Sequence, residues 1–211
     1  MFTRQHLDHL VLDVELVLIS VVQGVALTTL AIEAAPMLRA HHVGPWIAVA
    51  TGVLFILSFW SVALIHAISF VAWPMDLIHY FFYFGLALLE CLTFTCVDRP
   101  HDWFGYSIAC FVLAWGLYAY DAHLIAKRKP HYDVSPAYRA LYTHIVRRQR
   151  LEMLGFMPAG LVAHIAAWHV VARRPDAATT LLAIQFVLML AFVVSFVRSF
   201  TRRQALIGAC V

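Results

Sequence analysis

Glu90 stands well inside the apolar run MDLIHYFFYFGLALLECLTF, out of reach of either surface unless it snorkels. Polar groups at bilayer depth are costly, and they are functional candidates by default. Such a carboxyl can relay a proton or attract a cation; the other reading is a structural, hydrogen-bonded Glu. Thr93 and, from other segments, Gln185 or His164 are its expected partners. A second acid, Glu33, lies near the end of the first apolar segment, where it would mark a cation entrance or simply reach water. A pore wall is expected on that first segment. Leu16, Ser20, Gln23, Leu27 and Leu30 step by four, three, four and three, which is the spacing of one helix face. Hydroxyl and amide groups interrupted by leucines are what a pore with a hydrophobic constriction requires. Interhelical hydrogen bonding through the same Ser and Gln is the alternative.

The 12 histidines offer a different chemistry. His66, His79 and His123 lie toward one side of the bilayer, and His164 and His169 toward the middle and the other side. Two imidazoles facing each other from different helices hold a haem, and the depths of His66 and His123 are compatible with that. His164 and His169, five apart, share a face poorly. Cys91, Cys96, Cys110 and Cys210 show no zinc or haem-attachment spacing and read as small buried hydrophobes. There is no Gly-x-Ser-x-Gly, His-Glu-x-x-His, phosphate-cradling glycine loop or Cys-x-x-Cys, so soluble-type catalysis is not expected. No metal or cofactor is expected apart from the alternative haem.

These residues need a scaffold that lives in lipid. The chain is 63% hydrophobic and only 13% charged, against about half and a quarter in soluble domains. The unbroken apolar runs argue against a membrane barrel. The expected class is an all-α polytopic membrane protein in a single domain, 1–211. Six spans are expected, at about 10–34, 46–73, 76–97, 103–126, 151–172 and 177–200. Each reaches the roughly 20 residues that a bilayer core needs. Breaks are expected from Pro36 to Pro45, at Trp73-Pro74, at Asp98-Arg99-Pro100 and at Arg173-Arg174-Pro175. Pro158 alone falls inside a span, where it should kink the fifth helix.

Orientation follows from one loop. Residues 127–150 carry seven of the 15 basic residues against one acid, Asp133. Short loops rich in Lys and Arg stay in the cytoplasm. Both termini then lie inside as well, with eleven basic residues on the inner side and Arg39, Arg99, Arg173 and Arg174, four in all, outside. Within the loop, Ser135-Pro136 reads as an N-cap followed by a first-position proline. Tyr138, Leu141, Tyr142 and Ile145 recur opposite Arg139, Arg147 and Arg148, as in an amphipathic cytoplasmic helix before the fifth span. Asp13, Glu15, Asp76, Asp121 and Glu152 gather on the same side and are expected to pair with the basic loop or Arg198. Trp46, Trp73, Trp103 and Trp168 fall near the expected interfaces, as aromatic belts do.

Residues 10–126 resemble the core of the transmembrane protein 175 family of potassium-leak channels. The likeness rests on LVLISVVQGVALTTLAIEAAP in the first span and LSFWSVALIHAISF in the second, where Ser58, Phe59 and His66 match the family's pattern, and on MDLIHYFFYFGLALLECLTF in the third. The family's signature at the start of helix one, Arg-x-x-x-Phe-Ser-Asp, is absent from residues 10–20. The resemblance implies a homo-oligomer, tetrameric in bacterial members, with helix one lining the pore and its leucines at the constriction.

The leading functional expectation is therefore a cation-conducting channel or leak pathway in a bacterial inner membrane. Glu33 and the lack of any basic residue deep in a span favour monovalent cations. The alternatives are a haem-binding redox protein using His66 and His123, and a small transporter or accessory subunit. The expected partners are the bilayer and further copies of the chain, with no nucleic acid.

Overall fold

The computed structural model describes residues 4–39, 43–69, 77–127, 129 and 135–208, with side chains for 14, 16–37, 39, 43–62, 77–127, 129 and 135–208. Helices α1 (Arg4–Arg39), α2 (Val43–Ser69), α3 (Leu77–Phe94) and α4 (Pro100–Lys127) come first. Next come α5 (Pro136–Leu151), a π-helical turn (Glu152–Phe156) and α6 (Met157–Arg173). A 3-10 turn (Pro175–Ala177) leads into α7 (Ala178–Gly208). Six helical stretches are long and apolar enough to cross a membrane, α5 and α6 counting as one. The chain is an integral membrane protein. Apolar side chains such as Val17, Ile32, Phe81, Leu88, Val112, Val162 and Val187 stand exposed along the bundle, as a surface facing acyl chains requires.

The helix bounds correct several expectations. α1 does not break at Pro36, which lies inside the helix near its end. So near the C-terminal end, the missing N–H and the ring's clash with the preceding turn disturb little. The expected break at Trp73-Pro74 lies outside the described residues, as does Asp133. At Pro158, where the sequence pointed to a kink, the helix changes its hydrogen-bonding pattern. The helix opens into the π turn immediately before it, where the Met157 amide N–H reaches the Glu152 carbonyl. That turn absorbs the carbonyl mismatch that a helix-interior proline creates. α5 begins as expected: the Ser135 side chain accepts from the Tyr138 amide at 3.3 Å, with Pro136 at the first position. It buries Leu141, Ile145, Arg148 and Gln149, exposes Arg139 and Arg147, and continues through the π turn into α6.

The helices pack as an incomplete ring. α1 packs against both α2 and α3, α3 against α4, α4 against α6, and α2 against α7. α1 thus seals the seam between α2 and α3. α6 and α7, although joined by the 3-10 turn, scarcely approach each other along their lengths. One core of Leu30, Ile56, Phe94, Trp103, Phe104 and Leu182 fills the half of the ring near that turn. Gly52 permits it, because a Cβ there would stand 2.9 Å from Leu30 Cδ2. At the opposite end, called the basic end below, Ile125, Leu141 and Ile145 form a smaller cluster. Trp103, placed at an interface by its sequence position, is instead fully buried. Trp46 is exposed and Trp168 half-buried, while Trp73 lies outside the described residues.

Candidate functional site

Inside the ring lies a cavity of about 380 Å³, within the range of about 300–1,000 Å³ typical of small-molecule sites. α2, α3, α4, α6, α7 and the π turn all contribute to its wall. Eight aromatic rings line it: Phe55, Phe59, Tyr83, Phe94, Phe111, Tyr118, Phe156 and Phe192. Its polar groups are few. Among the described residues, Glu90 is the one carboxylic acid of the lining, and no Lys or Arg stands in it. Ser58 and Ser107, both at least nine-tenths buried, turn hydroxyls with no protein partner into this region.

Glu90 is held from outside the ring. Gln23 of α1 reaches between α2 and α3 and donates through Nε2 to Glu90 Oε2 at 3.1 Å. Neither Thr93, Gln185 nor His164, the partners expected from sequence, takes this place. Thr93 donates to the Leu89 carbonyl at 2.8 Å. Gln185 and His164 are bound to each other. His164 Nδ1 lies 2.7 Å from the Gly160 carbonyl, which can only accept, so that nitrogen carries the proton. Nε2 then accepts from Gln185 Nε2 at 2.9 Å, and Gln185 Oε1 accepts from Trp103 Nε1 at 2.9 Å. Every polar atom of this three-residue chain is satisfied in one arrangement.

The chain also bounds an opening. His164–Gln185 ties α6 to α7 on the side of the 3-10 turn. Two turns further on, Phe156 and Phe192 meet edge to face at 5.6 Å. Between the two contacts the wall is Ala159 and Gly160 on α6 and Leu188 and Ala191 on α7, of which Ala159, Leu188 and Ala191 are exposed. At 1.5 Å per residue this window is about 10 Å tall. Ala159, Gly160 and Ala191 keep the seam thin there, with Leu188 as its one large side chain. Gly160 tightens the inner wall, since a Cβ there would overlap the Phe111 ring. Gly160→Val is expected to cost about 1–3 kcal/mol through overpacking and to shrink the cavity, which a lowered thermal midpoint in detergent would register.

The helix-one stripe does not share one environment. Gln23 and Leu30 are buried against the chain's own helices, Leu16 is half-buried, and Ser20 and Leu27 are exposed. Ser20 donates to the Leu16 carbonyl at 2.8 Å, and Trp60 Nε1 lies 3.5 Å from its hydroxyl. Glu33 is half-buried near the end of α1. Of the two haem candidates, His123 is exposed on α4, and the side chain of His66 lies outside the described residues. His79 pairs with Asp121 at 3.0 Å, both buried. Glu152 pairs with a basic residue of the basic loop, Arg148. Asp13, Glu15 and Asp76 have no described side chains. Among the described residues no three His, Cys, Asp or Glu side chains converge as metal ligands. The cavity, the Gln23–Glu90 bond and the Trp103–Gln185–His164 chain were not foreseen from the sequence. The apolar run around Glu90 was the one signal pointing there.

No family model, no curated protein and no solved structure matches this chain.

Proposed function

We propose that this chain binds a lipophilic monovalent organic cation, such as an amine bearing apolar groups, and works as a small transporter or membrane receptor for it. One observation carries the reading: a single carboxylic acid stands in an aromatic-lined cavity that, among the described residues, has no Lys or Arg in its wall. Aromatic faces attract cations, more strongly where water is excluded. An anionic headgroup would find no countercharge in this lining, so burying it there would be costly. Gln23 fixes one oxygen of Glu90, which leaves the other to the ligand, and the hydroxyls of Ser58 and Ser107 supply further acceptors. An amphiphile already dissolved in lipid reaches the site through the α6–α7 window without crossing water.

Binding of tetraphenylphosphonium to protein in nanodiscs, against a neutral tetraphenyl analogue of equal shape, tests this. Glu90→Gln is expected to weaken the cation by about tenfold or more, the size of one charge-assisted contact of ~1.4 kcal/mol. The neutral analogue should change by less than about twofold. Equal binding of the two probes, or equal loss of both in the variant, would sink the proposal. A haem absorbance band that disappears in His123→Ala would replace it with the redox alternative.

Orientation belongs to the same proposal. The basic end faces the cytoplasm, with both termini inside and α5 as an amphipathic helix at the inner surface, supported by the eleven-to-four distribution of basic residues. The family resemblance adds a bacterial inner membrane.

The channel reading has an observation of its own. Ser20, Gly24 and Thr28, four residues apart, form an exposed row on α1. Thr28 donates to the Gly24 carbonyl, and nothing lies within 4 Å of a Cβ built at Gly24. Rows of small residues let membrane helices of separate copies approach closely. In that homo-oligomer Leu27, beside the row, stands at the shared interface. Potassium flux from proteoliposomes that rises in Leu27→Ala is the expected result; no flux of potassium, sodium or protons removes the reading.

A further inference from the structure

The basic end holds a second polar hollow, separate from the central cavity, between α5, α7 and Val62 of α2. Arg148 and Arg203, 9% and 7% exposed, line it with Glu152, Ser199, Phe196 and Phe200. Arg148 is placed with care. Its Nε pairs with Glu152 one turn on, and its Nη1 donates to Ser195 Oγ at 2.8 Å. Its Nη2 is buried with no protein partner. A buried guanidinium N–H without an acceptor is costly and rare. The hollow's volume of about 10 Å³ is the size that admits a single oxygen.

More charge gathers around its mouth. Arg148, Arg202 and Arg203 all lie near enough to His144 to act on its charge. His144 Nε2 stands 3.3 Å from Ser199 Oγ. Arg202 is exposed at the surface. Among the described residues, Glu152 is the acid that lines the hollow beside Arg148 and Arg203. The buried Arg148 Nη2 is the group that seeks an acceptor, and phosphate oxygens match guanidinium forks geometrically.

We propose that this hollow is a binding site for a phosphate group, with one oxygen seated on Arg148 Nη2. The remaining oxygens lie at the mouth against Arg202, Arg203 and Ser199. A phospholipid headgroup and free inorganic phosphate present the same chemistry. Basic clusters at a membrane boundary attract anionic lipids by about 1 kcal/mol per residue.

The test uses the full chain in nanodiscs of phosphatidylcholine, with and without phosphatidic acid. Native mass spectrometry counts the phospholipid retained, and a parallel arm adds inorganic phosphate to phosphatidylcholine discs. One retained phosphatidic acid per chain is expected, preferred over phosphatidylcholine by about tenfold. Arg148→Lys keeps the charge and the partner of Glu152 but removes the fork, and is expected to abolish that preference. Arg202→Gln, at an exposed position, is expected to reduce it severalfold without disturbing the fold. Protection from thermal unfolding by inorganic phosphate alone, lost in Arg148→Lys, assigns the same site to free phosphate. No preference for either anion, or a preference unchanged in both variants, overturns the proposal.

Discussion

Arg148→Met is expected to destabilise the protein by about 3–5 kcal/mol, the range for breaking a buried ion pair on one side. The reason is what it leaves behind. Glu152 is buried with Arg148 as its ion-pair partner; Tyr118 also hydrogen-bonds it. Removing the guanidinium strands a carboxylate among Tyr118, Val62 and Phe196, and orphans Ser195 Oγ as well. The double variant Arg148→Met/Glu152→Leu should recover most of the loss, because two apolar groups of similar volume replace the pair without an unpaired charge. Unfolding of the purified protein by increasing dodecyl sulfate, compared across the wild type, both single variants and the double, checks this. If the double variant is as unstable as Arg148→Met, the pair is holding α5 to α7 through packing and not through charge. The pair sits next to the π turn, so the same measurement reports whether α5 and α6 act as one rod.

The spans were legible because bilayer thickness imposes a length on every apolar run, and runs such as 177–200 meet it without ambiguity. The N-cap at Ser135 was legible because capping is local: three residues decide it. The helix-one stripe shows where this ends. Helical spacing groups Leu16, Ser20, Gln23, Leu27 and Leu30 by face, but it does not say which way the face points. In a soluble helix the apolar side marks the core. In a membrane helix the core and the lipid are both apolar, so buried Leu30 and exposed Leu27 look alike in sequence. Glu90 was visible because a charge in an apolar run is rare. Its partner Gln23, separated by 67 residues, was not visible; an amide on another helix has no local mark. The same holds for Trp103, Gln185 and His164, each ordinary alone and specific only as a set.

That set supplies the second large expected effect. Trp103→Ala is expected to cost about 3 kcal/mol, the lower end of the ~3–5 seen for core aromatics. One feature argues for the lower end. The unfolded helices remain in lipid, so the usual gain from leaving water is absent and only packing is lost. Packing at this position is dense, however: Trp103 is fully buried against Phe94, with ring centroids 6.1 Å apart. Trp103→Phe separates the terms, since it keeps most of the contact area and removes only the hydrogen bond to Gln185 Oε1; it should cost about 1 kcal/mol. Unfolding by dodecyl sulfate ranks the two variants, and near-equal losses would mean that the hydrogen bond, not the volume, is what matters. Gln185 then decides a second readout. With its oxygen unpaired its grip on His164 loosens, and that contact is the boundary of the α6–α7 window on the side of the 3-10 turn. Both variants are therefore expected to speed release of a cation from the central cavity by more than they weaken its equilibrium binding. Stopped-flow dissociation set beside equilibrium titration measures the two separately, and equal changes in both would place the opening elsewhere.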